Sequence, residues 1–267
     1  MIPMLLKFVF PPPSSLFITA MSVIGVASLA GTGYSETRGK HLQYSKFWNV
    51  NSQKTTRNEI KLSSRTGMLM FYTPAFLAGV AAFALFPDEG FRFFLVSSAL
   101  TIHYFKRVFE VLFVHKYSGG MGLDTVILIS PGYLISTATI IYTQHLTRGV
   151  QEPPLDLKYL GVVLFLVGIS GNFYHHYILS KLREKGGEKG YKIPQGGLFD
   201  MVICPHYLFE ILGFVGISFI SQTVYAFSVT IGSIFYLLGR SYATRKWYLS
   251  KFENFPKEVK ALIPYVF

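Results

Sequence analysis

Seven apolar stretches run through the chain, each close to the roughly 20 helical residues that cross about 30 Å of hydrocarbon. They lie at Ser14–Tyr34, Gly67–Phe86, Phe91–His115, Thr125–Thr143, Leu157–Ser180, Leu198–Ile220 and Gln222–Gly239. The apolar residues come in long blocks, not at an amphipathic period, and mean hydropathy is +0.38. Charged residues make up 15% of the chain, against roughly 25% in an ordinary soluble domain. This patterning specifies an all-α membrane protein of about seven transmembrane helices, one domain over 1–267. Pro74, Pro131 and Pro205 fall inside or at the edges of spans, where neighbouring helices can satisfy the freed backbone groups. The first stretch follows a single basic residue, Lys7, and the run Pro11-Pro12-Pro13. It is also longer than a signal-peptide core, so it reads as a retained helix.

The formal net charge of +11 would raise the question of nucleic acid in a soluble protein. Here the Lys and Arg sit between the apolar blocks, so membrane lipids or an anionic cofactor are the expected partners, and nucleic acid is not. Of 25 basic residues, 21 fall on one side: the loop after the first stretch, the end of the third, the fifth gap and the tail. Only Lys7, Arg92, Arg148 and Lys158 fall on the other. That asymmetry fits seven spans with a lumenal N-terminus and a cytoplasmic C-terminus; six or eight would spoil it. The single cysteine, Cys204, excludes an intramolecular disulfide.

Ionisable residues within spans are costly and mark functional candidates. The third stretch contains HYFKRVFEVLFVH, which puts His103, Arg107 and Glu110 on one helical face. Glu110 can also pair with Lys106 at i+4. The group reads either as a self-neutralising ion pair or as the polar wall of a substrate or cofactor cavity. The fifth stretch ends in GNFYHHYILSKLR, where Asn172, His175 and His176 precede Arg183. Adjacent histidines point about 100° apart on a helix and chelate one ion poorly, and no HxxxH spacing accompanies them, so no metal is expected. The offsets from Asn172 to the two histidines suit an amide and an imidazole facing one polar ligand. In the loop that follows, Gly186-Gly187 and Gly196-Gly197 free the backbone, while Lys185, Lys189 and Lys192 supply positive charge. Such a loop suits a phosphate or pyrophosphate, although neither a Rossmann nor a P-loop motif is present. In CPHYLFE, His206 and Glu210 are at i and i+4. The tail from Arg240 alternates basic and aromatic residues, in the manner of a juxtamembrane amphipathic helix.

At KIPQGGLF, CPHYLFEI and WYLSKFENFPKEVKALIPYVF the sequence resembles the steroid 5α-reductase family. The likeness runs from about Gly67 to Phe267 and is strongest after Tyr159. It implies a seven-helix reductase of the endoplasmic reticulum membrane that binds NADPH from the cytoplasmic side, using the 181–197 loop and the 240–267 tail. It implies hydride transfer to the β-carbon of a lipid enone, and a lipid-like small-molecule substrate. The family's cofactor contacts fall on Asn172, Arg183, Arg240 and Tyr248, with Glu210 matching the cofactor-side glutamate. Lys192 stands where Arg is usual, His206 where Asn is, and His176 where Asp is. At the catalytic end the family's tyrosine is Tyr104, while its glutamate position is occupied by Tyr72 in FYTPAF. Phenols are ordinarily protonated at neutral pH, so this pair would donate hydrogen bonds to a substrate carbonyl. The stretch HYFKRVFEVLFVHKYS also resembles trans-2-enoyl-CoA reductases of very-long-chain fatty-acid elongation and, in part, polyprenol reductases. On that alternative, lysines of the basic first loop could serve a CoA phosphate, although the first ~60 residues lack the ubiquitin-like start of many enoyl-CoA reductases. A non-catalytic membrane binding protein of the same fold is the remaining alternative.

Overall fold

The computed structural model describes residues 7–47, 60–117, 119–182 and 191–267. A helix stands at each of the seven apolar stretches: α1 (Leu16–Thr37), α2 (Ser64–Leu85), α3 (Phe91–Phe109), α4 (Leu123–His145), α5 (Lys158–Leu182), α6 (Pro205–Ser221) and α7 (Val224–Lys251). Side-chain oxygens of Ser15, Ser63 and Thr223 cap α1, α2 and α7 by accepting from the N–H of Ile18, Thr66 and Ala226. Four helices, α1, α2, α4 and α5, are long and apolar enough to cross a membrane. In α3 and α7 basic residues interrupt the apolar run. The outer faces carry exposed Leu16, Phe17, Ile24, Leu128, Val163 and Leu166, a surface suited to hydrocarbon and not to water.

Four details depart from the sequence reading. First, α6 begins at Pro205, not near Leu198. Proline cannot donate and forces the preceding residue out of helical geometry. Upstream, the N–H groups of Ile203 and Cys204 instead donate to the carbonyls of Lys260 and Ala261 in the tail. Second, the basic tail is no separate surface helix up to Lys251; α7 runs unbroken past Arg240. Third, α3 passes at Glu110 into a π-helical turn, Glu110–Val114, closed by the His115 N–H donating to the Glu110 carbonyl at 2.7 Å. Such turns favour functional sites because they re-aim side chains. Fourth, the all-α expectation misses a small ribbon, β1 (Lys61–Ser63) antiparallel to β2 (Gly120–Gly122), which ties the start of α2 to the start of α4.

Helix pairing relies on glycine. Along α5 and α6, a carbon side chain at Gly168 would run into the Gly213 backbone, and one at Gly216 into that of Phe165. Gly33 of α1 and Gly239 of α7 meet in the same way. Close backbone approach of this kind replaces the hydrophobic drive that helices lack in lipid.

One end of the bundle is closed by a polar knot. Buried Arg92 donates to the Ile220 carbonyl (2.7 Å), Gln222 Oε1 (2.9 Å), Glu152 and Asp156 (2.8 Å). Gln222, left-handed at φ 51°, makes the two-residue turn from α6 to α7. It also donates to the carbonyls of Phe8 and Leu155. The four minority-side basic residues gather here, with Arg148 against Glu89 and Lys158 against Asp156.

Candidate active site

At the opposite end α2 through α7 converge on a cavity of about 240 Å³. Its wall includes Tyr72 from α2, Arg107 from α3, Tyr133 from α4, His176 from α5, His206 and Glu210 from α6, and Arg240 and Tyr248 from α7. The segment after α1 supplies Tyr44 and Lys46, and Lys116 and Lys192 complete a rim with five basic residues against one acid, Glu210. Cations gathered in a low-dielectric recess attract an anion strongly.

Glu110 organises the α3 side. Fully buried, it is paired with Lys106 and Arg107, each at 3.1 Å, and contacts His176 Nδ1 at 3.0 Å. The ion-pair reading and the cavity-wall reading of the sequence thus describe different members of one cluster. Arg107 and His176 reach the cavity, whereas Glu110 and His103 stay behind it. Arg107 also donates to the Tyr72 hydroxyl oxygen, its Cζ 4.6 Å from the ring centre. A phenol oxygen that already accepts leaves its own O–H free to donate into the cavity. Glu110, His115 and His176 bring three ligand atoms within 4.8 Å, a convergence that spacing along the chain does not show. Both Glu110 oxygens already face cationic partners, so a divalent ion would add charge to a cluster that already carries two cations.

On α5, His176 faces Glu110, whereas His175 turns away: Nδ1 lies 2.7 Å from the Gly171 carbonyl, and Nε2 accepts from the Leu198 N–H. Asn172 and His175 therefore do not share a ligand, because His175 braces the loop before α6. Asn172 is buried and outside the cavity wall. It donates to the His206 carbonyl at 2.7 Å and weakly to Glu210 Oε2, and accepts from Lys106. Its amide orients Glu210 from behind.

Tyr104 is also one layer back. Its ring packs 5.9 Å from Tyr133, whose ring lies 5.5 Å from Tyr72. Tyr248 stacks on Phe252, packs at a tilt against Phe255 and reaches the Lys192 carbonyl. Arg183, Lys185, Gly186, Gly187 and Lys189 lie outside the described residues. The structure therefore places Tyr72, Arg107, His176, Lys192, His206, Glu210, Arg240 and Tyr248 around one cavity, with Tyr104, Asn172, Glu110 and His103 in the layer behind it. Tyr44, Tyr133 and the carboxylate of Glu36 are not picked out by the sequence, whereas Lys46 belongs to the basic first loop whose lysines it sets against a CoA phosphate. An acid near the end of the first apolar stretch was the one signal that could have found Glu36.

Residues 124–267 match the family model for 3-oxo-5-alpha-steroid 4-dehydrogenase. The human 3-oxo-5-alpha-steroid 4-dehydrogenase 2 is 29% identical over 216 residues, 78% of this chain and 82% of that protein. The Sus scrofa protein of the same name is 29% identical over 254 residues, 91% of this chain and 95% of its own length. A very-long-chain enoyl-CoA reductase of Dictyostelium discoideum is 33% identical over 177 residues, 62% of this chain and 55% of that protein. The family match covers just over half the sequence, including the walls contributed by α4, α5, α6 and α7, and on that ground the chain belongs to the steroid 5α-reductase family of oxidoreductases.

Proposed function

We propose that the protein reduces the C=C bond of a lipid enone with NADPH, its substrate being a 3-oxo-Δ4-steroid and its product the 5α-dihydro steroid. The observation that carries this reading is the juxtaposition, in one cavity among apolar helices, of a cationic rim and the Tyr72 phenol backed by Arg107. A dinucleotide with three phosphate groups fits a rim with five basic residues and one acid. When bound, NADPH supplies the hydride.

The chain's own residues handle the oxygen end. The Tyr72 O–H donates to the substrate carbonyl, and Arg107, donating in turn to the Tyr72 oxygen, spreads the negative charge that develops there as the β-carbon is reduced. Tyr104, whose ring packs on Tyr133 behind Tyr72, is the second donor in this reading. The α-carbon of the resulting enolate then takes a proton from water, so that hydride and proton together add across the C=C bond. Glu210, with Asn172 and His206 around it, faces the cofactor side.

In this reading seven helices span the endoplasmic reticulum membrane, and the cationic rim opens to the cytoplasm, where the cofactor is. A second reading is favoured by the likeness to the Dictyostelium enoyl-CoA reductase and by the Lys106–Glu110 cluster that gave the third stretch its resemblance to that branch. NADPH consumption by microsomes expressing the chain, with a progesterone-like enone, a long trans-2-enoyl-CoA and a polyprenal offered side by side, separates the two. Turnover with the enone alone is expected. Turnover only with the acyl-CoA would replace the steroid reading, and no NADPH affinity in purified protein would remove both.

A further inference from the structure

Arg240 lines the cavity, yet both terminal nitrogens of its guanidinium donate to protein and two rings flank it. Nη1 donates to Glu36 Oε1 at 2.6 Å and Nη2 to the Tyr44 carbonyl at 3.4 Å. The rings of Tyr44 and Phe47 each lie 4.3 Å from Cζ. Arg240 and Glu36 are each 1% exposed. Glu36 in turn accepts from the Leu42 N–H at 3.0 Å and contacts His41 Nδ1 at 2.7 Å. The Tyr44 hydroxyl meets that of Tyr236 on α7 at 2.6 Å. All these partners of Arg240 belong to the end of α1 and the segment after it, so the arginine straps that segment across the cavity.

The cation this segment delivers is Lys46. Its ammonium lines the cavity over the rings of Phe47, Trp247 and Tyr248 at 5.8, 5.9 and 5.4 Å. Among the described residues no carboxylate forms an ion pair with it; Glu36, the acid nearest in charge, is bound to Arg240. Aromatic faces hold a cation without neutralising it. A cavity-lining ammonium held over aromatic faces and lacking a carboxylate is therefore short of one anionic partner.

We propose that Lys46 is a phosphate-binding residue of this cavity, and that Arg240, fixed by Glu36, is the positioning residue that holds it there. The ligand class is a phosphate or diphosphate; the proposed function is needed only to name NADPH as its carrier.

The test uses the full chain in nanodiscs, with thermal stabilisation by inorganic pyrophosphate and by NADPH measured separately. Wild type is expected to be stabilised by both. Lys46→Ala should lose the pyrophosphate effect and bind NADPH at least tenfold more weakly, while Lys46→Arg retains both and Arg148→Ala, at an exposed arginine at the far end of the bundle, changes neither. Wild-type stabilisation by pyrophosphate but not by NADPH would keep the phosphate site and sink the cofactor reading. Equal behaviour of Lys46→Ala and wild type, or no stabilisation of wild type by either ligand, would overturn the site. Glu36→Gln tests the strap by the sign of its effect. A strap that loosens weakens NADPH binding, whereas an arginine released to contact phosphate tightens it, and tighter binding would overturn the positioning role.

Discussion

A tyrosine has one proton to give, and the partner of its oxygen decides where that proton points. At Tyr72 the oxygen accepts from Arg107, so the O–H is left for the cavity. Tyr72→Phe is expected to lower kcat by about 10²- to 10³-fold, the usual cost of losing one oxyanion donor, with the NADPH dissociation constant unchanged. Tyr104→Phe should likewise lower turnover and spare cofactor binding; unchanged turnover removes Tyr104 from the chemistry. At Lys46, burial lowers the ammonium to about 8, against the influence of Cys204 and Glu36 and with that of Arg240. The Cys204 thiol, pushed up to about 11 by its own burial, remains neutral over that range. Because the charged amine is the form that holds phosphate, NADPH affinity should fall as pH rises through about 8. The fall should be absent in Lys46→Ala when affinity is measured from pH 6.5 to 9. Tyr133 could not be picked out along the chain, and Lys46 only as one of several first-loop lysines suited to a phosphate. A lysine between spans reads as topology, and one tyrosine in ISPGYLIS reads as a lipid-facing aromatic; only convergence of α1, α4 and α7 gives them a place.

At the scale of elements, the apolar blocks located all seven helices because burying every backbone polar group in lipid leaves little alternative to a helix. Boundaries failed where a local rule outweighed hydropathy, at Pro205 and at the π turn. That turn depends on Glu110, the buried acid to which Lys106 and Arg107 are both paired. Glu110→Gln should cost about 3–5 kcal/mol, the usual penalty for stranding a buried charge partner, read as a fall in the unfolding midpoint in detergent. The α5–α6 contact has a different vulnerability. A leucine at Gly168 has no space against the Gly213 backbone, so Gly168→Leu should shift the protein from a monodisperse peak to aggregate on size exclusion, whereas Gly132→Leu, in open space, should not.

Across the whole molecule the two ends of the bundle differ in charge. The end bearing Arg92, Arg148 and Lys158 balances its cations with Glu89, Glu152 and Asp156, so it offers little net charge to an anionic leaflet. The end bearing Lys46, Lys116, Lys192 and Arg240 surrounds the cavity with cations. By the positive-inside rule that end would face the cytoplasm, the side from which the proposed function has a dinucleotide reach the cavity. In the proposed function one polarity in the sequence would serve insertion and cofactor access together. With Cys204 replaced by serine, a cysteine at Lys257 should react with a membrane-impermeant maleimide added outside sealed microsomes, whose outer face is cytoplasmic. A cysteine at Glu152 should react only after permeabilisation. The reverse pattern would turn the cavity toward the lumen and separate it from the NADPH that the proposed reaction consumes.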